Sequence, residues 1–256
     1  MPDYQRATCL TFDIDWAPEF IIDQLRSTLD ELDLPATIFF THASAASQRL
    51  ASSPRCEVGI HPNFLTPNEK RAPEEVIDEL LADYPTRAMR SHALYYHSRL
   101  LPLLHQAGLR YLSNDLRFLQ PGLAPAYDWS GLVRLPIYWE DDVHCVYHHG
   151  RDAFSLDTLK LDSPGMKVFN FHPVHLFLNT NTFTDYFAAK DRLKDEKVAW
   201  SLRKQNPGVR TLFEQLVANP PTDGWVSLGE IADTFAEQTP YEGQYPAFVD
   251  DTKEQK

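Results

Sequence analysis

Cysteine is scarce in this 256-residue chain, and positive charge is in short supply. Only Cys9, Cys56 and Cys145 are present, an odd number at wide spacings. That excludes a disulfide framework and a Cys-x-x-Cys zinc site, so all three read as core or near-core thiols. Lysine and arginine total 24 against 36 aspartates and glutamates, for a net charge of -12. Phosphate backbones and anionic membrane surfaces are therefore poor partners, and no nucleic acid is expected. Apolar runs are short, and none approaches the roughly 18 residues that span a bilayer. No basic segment precedes an apolar run at the amino terminus, and the reading is an unsecreted, cytoplasmic protein. Internal repeats and linkers are also missing.

What is present is enough apolar material for a large core, at 43% of residues. It comes as short strand-like runs alternating with helical patterns. Strands are expected at residues 7–12, 36–40, 56–60, 86–90, 109–112, 132–138, 166–171 and 225–228. Between them, Phe20, Ile21, Leu25, Leu29 and Leu32 mark a helix opened by Pro18 and closed by Pro35. Further helices are expected at residues 74–84, 98–106, 185–193, 210–218 and 229–237. Strands separated by helices imply right-handed βαβ units and a parallel sheet. Seven or eight such strands in residues 1–237 point to a single α/β domain with a closed or nearly closed barrel. Residues 238–256 are polar, with proline and glycine, and read as a loosely attached tail.

The polar residues gather at one kind of place. Asp13 and Asp15 end the first strand and His61 the third. Arg90 and His92 end the fourth. Trp139, Glu140, Asp141 and Asp142 follow the strand at 132–138. His172 and His175 follow the one at 166–171. In a parallel barrel the carboxyl ends of all strands share one face, where active sites form. Residues two apart in extended chain also point to one side, which pairs Asp13 with Asp15 and Arg90 with His92. Two carboxylates, histidines and an arginine suit a divalent metal and a reacting carbonyl. Each has a plainer use alone: an aspartate caps a helix, a lone histidine satisfies a turn, an arginine makes an ion pair, and adjacent acids form a solvated loop. Convergence on one face favours the chemical reading.

The order of these segments resembles the polysaccharide deacetylase family, the NodB-like carbohydrate esterases. Thr11-Phe12-Asp13-Ile14-Asp15 is similar to that family's Thr-Phe-Asp-Asp-Gly. Residues 36–40, Ala-Thr-Ile-Phe-Phe, resemble the strand that follows it. Glu57-Val-Gly-Ile-His61 resembles Glu-x-Gly-x-His, and Met89-Arg90 sits where Phe-Arg-x-Pro is found. Phe171-His172-Pro173 resembles the late His-Pro motif, and residues 224–232 resemble the closing segment. The resemblance implies a distorted (β/α) barrel, a divalent metal of the zinc type and a carbohydrate substrate. In that scheme Asp13 is the general base, Asp15 and His61 are metal ligands, and Arg90 orients Asp13. His172 is the general acid, and Trp139 walls the acyl group. The expected activity is removal of an N-acetyl group from an amino sugar of a surface polysaccharide such as O-antigen. Hydrolysis of a non-sugar amide and an inactive sugar-binding relative are the alternatives.

One ligand is missing from that scheme. The family's second histidine, four residues after the first, is Leu65 here. A catalytic zinc normally has three protein ligands and one open position. His92 ranks first as the replacement, ahead of His175, Asn63 and His42. Asn63 and His175 are otherwise expected to touch substrate. The proline two residues past Arg90 is also replaced, by His92. Nothing in the sequence addresses the oligomeric state.

Overall fold

The computed structural model describes Tyr4 and residues 6–65, 71–147 and 153–243. Its elements run β1 (Thr8–Asp13), α1 (Glu19–Glu31), β2 (Ala36–Phe40), α2 (Ala45–Ala51), β3 (Cys56–Ile60), α3 (Pro73–Asp83), β4 (Ala88–Met89), α4 (Leu100–Gln106), β5 (Tyr111–Leu112), β6 (Ala126–Tyr127), β7 (Val133–Arg134), β8 (Trp139–Glu140), α5 (Asp141–Tyr147), β9 (Lys167–Phe171), α6 (Pro173–Leu178), α7 (Phe183–Ala189), α8 (Glu196–Leu202), α9 (Val209–Ala218) and α10 (Leu228–Gln238). Among the described residues no helix is long and apolar enough to cross a membrane.

The strands form one sheet in the order β6-β7-β5-β4-β3-β2-β1-β9-β8, parallel except for β6 against β7. The stretch holding β7 and β8 draws the two margins together. Its start donates from Leu135 N to Leu112 O, and its end from Tyr138 N to Val168 O. The sheet is thus curled into a distorted (β/α) barrel, as expected.

Strand alternation gives this sheet two different faces. Leu10, Phe12, Ile38, Phe40, Ile60, Met89, Leu112, Phe169 and Phe171 join the outer core beneath the helices. Cys9, Phe39, Ala88, Tyr111, Val133, Leu135 and Val168 join a separate inner cluster. Leu228, Ile231, Ala232 and Phe235 of α10 belong to that inner cluster and close the amino-terminal end of the barrel. Glu57 on β3 accepts the Gly229 N–H and the Tyr111 hydroxyl at that helix start. A side chain at Gly229 would collide with the Glu57 carboxylate, so glycine is required there by close approach.

Three expectations change. Residues 225–228 are not a strand: Trp225 makes one bridge to Thr8, and Ser227 is the N-cap of α10. Ser227 and Glu230 form a reciprocal capping box, which turns the chain helical before a strand can extend. The strand expected at 132–138 shortens to β7, and a separate short strand, β8, follows it on a different partner. The helix expected at 185–193 starts earlier, where the Thr182 side chain caps α7, and stops at Ala189 before a 3-10 turn. Of the expected tail, residues 244–256 lie outside the described residues.

Candidate active site

Above the apolar inner layer, the same inward positions become polar. Thr11, Arg90, Ser113 and Asn170 form a layer, capped by Asp13, His61 and His172 at the carboxyl ends. Arg90 is fully buried and donates from all three of its side-chain nitrogens. Its Nε donates to Ser113 O at 2.8 Å and its Nη2 to Ser113 Oγ at 2.8 Å. Its Nη1 donates to Asp13 Oδ1 at 3.0 Å, Thr11 Oγ1 at 2.9 Å and Asn170 Oδ1 at 2.5 Å. Asn170 Nδ2 in turn donates to Asp13 Oδ2 at 2.9 Å. Both oxygens of Asp13 are therefore fixed. The guanidinium rests on the Phe39 ring, 4.4 Å from its centroid. That ring occupies the place where a Gly59 side chain would be, 2.5 Å away. The glycine of the Glu-x-Gly-x-His segment thus makes room for the ring that supports Arg90.

Burial would raise the Asp13 carboxyl, but Arg90, His61 and His172 outweigh it and hold it below the usual range. Asp15 behaves alike: burial opposes, and hydrogen bonds with His61 and His92 depress it strongly. The two carboxylates do come together, though not by strand alternation. β1 ends at Asp13, and Asp15 has a left-handed backbone with φ of 44°. That turn swings its carboxylate back over the barrel.

Asp15, His61 and His92 place one donor atom each within a common sphere. Asp15 Oδ1 lies 3.4 Å from His61 Nε2 and 3.1 Å from His92 Nδ1. Donors on a tetrahedral zinc stand about 3.3 Å apart, given bond lengths near 2.0–2.1 Å. Two imidazoles and a carboxylate also match the donor set of hydrolytic sites with one open position. The residues fit a divalent metal. His92 follows β4, where its N–H donates to Pro62 O and begins a tight turn. Ala93 and Leu94 are both left-handed, at φ of 54° and 51°. Such backbone persists only where the surroundings dictate it; here Asn114 holds Ser91 through its N–H and its hydroxyl.

His172 stands on the other side of the carboxylates, its Nε2 4.0 Å from both Asp13 Oδ2 and Asp15 Oδ2. Asp141, fully buried at the start of α5, accepts from His172 N at 2.8 Å and contacts its Nδ1 at 2.7 Å. Burial would lower the imidazole, but Asp141, Asp15 and Asp142 outweigh it and push its pKa well above the ordinary value. The acids after β8 are thus not a solvated loop. Glu140 is buried as well, and burial with the nearby Asp142 pushes its carboxyl well up.

The remaining candidates lie elsewhere. Trp139 is fully buried and is not a wall of an open cleft. It pairs with Phe169 across the sheet, which turns it toward the outer helices, where its indole donates to His144 Nδ1. Glu140, one residue on, pairs with Asn170 and faces inward instead. His175 sits behind His172, with Nδ1 3.1 Å from Thr180 Oγ1, and burial lowers its pKa. Asn63 accepts the Leu65 N–H within its own turn. His42 contacts Thr41 Oγ1 at 2.8 Å and is not part of the trio. Sequence reasoning missed Thr11, Ser113, Asn170 and the specific role of Asp141. A signal existed for two of them: Thr11 and Asn170 lie two residues before Asp13 and His172, on the same strand face. A cavity of about 900 Å³ is lined by Arg6, Lys167 and Trp225 at the opposite end of the barrel. Among the described residues the candidate metal-holding groups lie at the carboxyl ends and not in that cavity, so the candidate site is taken there.

A family model for WbmS-like polysaccharide deacetylases matches residues 10–190. A crystal structure from Bordetella bronchiseptica, named as a polysaccharide deacetylase involved in O-antigen biosynthesis, is 30% identical with a TM-score of 0.77. The match covers 85% of this chain and 93% of that one. A family 4 carbohydrate esterase pseudoenzyme from Bacillus anthracis is 15% identical with a TM-score of 0.44, over 91% of this chain and 67% of that one. No curated protein matches the sequence.

Proposed function

The chain belongs to the polysaccharide deacetylase family, as a WbmS-like member, and from that premise we propose that it hydrolyses the N-acetyl group of an amino sugar in a surface-polysaccharide precursor. The observation that supports this reading is that a fixed Asp13 and a paired His172 both stand within 4.0 Å of members of the Asp15, His61 and His92 trio. That trio would hold a divalent metal, zinc in our reading, which when bound supplies polarisation of the amide carbonyl and of the attacking water.

The chain's own residues do the rest. Asp13, kept ionised by Arg90 and Asn170, takes a proton from the water whose oxygen attacks the acetyl carbon. His172, kept protonated by Asp141, gives its Nε2 proton to the nitrogen as the C–N bond breaks. Acetate and an amine leave, one water is consumed, and the Asp13 proton restores His172. Arg90 and Asp141 are positioning residues: each acts through its partner. The relative from Bordetella bronchiseptica is named for O-antigen biosynthesis, and we extend that class here to a nucleotide- or lipid-linked sugar in the cytoplasm. We assign the catalytic unit to residues 1–237.

The test is acetate release from N-acetylated amino sugars by the zinc-loaded chain. Asp13→Asn is expected to abolish release with zinc content nearly unchanged; equal activity in that variant sinks the reading. Release of ammonia or other amines from non-sugar amides, without acetate from sugars, would move the same machinery to a different substrate.

A further inference from the structure

Two aromatic side chains stand beside the candidate trio and take no part in the chemistry above. Trp16 follows Asp15 directly and is 56% exposed, although it is a large apolar residue. Its ring meets that of His92 nearly at right angles, 4.9 Å between centroids. Tyr186, on α7, is half-buried and meets His175 at 4.8 Å, also nearly at right angles. His175 in turn lies 5.6 Å from His172. The series Trp16–His92–Asp15–His172–His175–Tyr186 therefore crosses the site, with one aromatic at each end. Burial and the charge of Asp15 both push the Tyr186 phenol up, which places it within electrostatic reach of the centre. Among the described residues, neither the Trp16 indole N–H nor the Tyr186 hydroxyl has a hydrogen-bond partner.

An exposed indole beside buried charges has a recognisable use. A pyranose ring has an apolar face of C–H groups and a rim of hydroxyls. An aromatic platform with one polar handle matches both, as such side chains do where one side is apolar and the other wet. We propose that Trp16 is the platform on which the sugar ring of the substrate lies, with Tyr186 as the opposing wall. The ligand class is then an acylamino pyranoside whose acylamino group points toward Asp13 and His172. This rests on the carbohydrate reading above and deepens it.

The experiment uses the full zinc-loaded chain in an Asp13→Asn background, checked as folded by circular dichroism, so that binding is read without turnover. Calorimetric titration with N-acetylglucosamine, N-acetylgalactosamine and triacetylchitotriose gives the reference affinities. Adding Trp16→Ala is expected to weaken whichever probe binds by at least tenfold, and Trp16→Phe by less than threefold. Zinc affinity should stay within twofold in both. In the active background, Trp16→Ala should raise KM and leave kcat within threefold. Unchanged probe binding in Trp16→Ala overturns the platform and leaves the carbohydrate reading standing. A parallel loss of zinc affinity overturns it too, since Trp16 would then only brace His92. Failure of all three probes in the reference variant removes the carbohydrate reading and the platform together.

Discussion

The two ends of the barrel are lined by the same strands and could hardly differ more. At the amino end, Cys9, Phe39, Val168, Tyr111 and Val133 pack against α10 in an apolar layer. Two residues further along the same strands the inward positions are Thr11, Asn170 and Ser113, and beyond them Asp13 and His172. Each strand therefore serves stability at one end and chemistry at the other. The charged end is held by the bonds that tie Arg90 to Asp13, Asn170 to Asp13 and Asp141 to His172, over an apolar floor that holds the strands in register. His61 Nδ1 and Glu140 Oε2 have no hydrogen-bond partner among the described residues.

Four substitutions can break or sharpen that contrast. The largest expected effect is Asp13→Asn at the charged end, which should lower acetate release by about 10³-fold, a typical worth for a general base. It should also cost up to about 3 kcal/mol of stability, because the Arg90 charge is left buried without its counter-ion. Assaying below the melting temperature by denaturant titration and acetate release separates the two. At the floor, Ile231→Ala should cost about 2–5 kcal/mol in chemical denaturation, as for buried large-to-small changes. Its kcat/KM at 25 °C should be close to the parental value; a loss beyond tenfold would show that the ends are not independent.

Gly59→Ala lies between the ends and should touch both. The added methyl meets the Phe39 ring, so overpacking should cost about 1–3 kcal/mol. Because that ring supports Arg90, acetate release should also fall about tenfold by loss of a positioning contact. A stability loss with unchanged activity would cut the proposed link from Gly59 through Phe39 to Arg90.

The smallest expected effect is a displaced pH limb. In the proposed mechanism His172 acts in its protonated form; burial lowers its pKa, but Asp141, Asp15 and Asp142 outweigh that and raise it. Activity should therefore persist into alkaline pH. The same raised pKa stabilises the fold fully below an exposed histidine's value of about 6.5 and is lost as pH rises through the folded value. Asp141→Asn removes the largest opposing charge, so the His172 pKa falls. The alkaline limb of kcat should move to lower pH; a limb that stays in place would assign it to another group.

Much of the site was legible because barrel geometry turns strand ends into a shared address. Asp13, His61, Arg90 and His172 could be placed from periodicity alone, and the order of their segments resembled one family. Trp139 was misplaced because its strand, β8, is separate from β7 and the inward face changes between them. Glu140 and Asp141 read as a solvated loop because a single sequence does not reveal that β8 ends beneath His172. Trp16 gave no periodic signal at all, since it lies in a turn. The expected strand at residues 225–228 failed because a capping box overrode a strand-like composition.

By itself the sequence determined the alternation of inward and outward residues, hence an apolar floor, a polar middle and charged strand ends. The resemblance added that the family's second histidine is replaced by Leu65. Only the tertiary structure brings His92 against Asp15 and His61. His92 reaches Asp15 because Ser91 and Asn114 tie the loop after β4 to the neighbouring strand end, and because Ala93 and Leu94 accept a left-handed backbone there. Asp15 reaches both histidines through its own left-handed turn. Those conformations are unfavourable locally and have no signature in the residues that adopt them. They exist because contacts distant in sequence over-determine them.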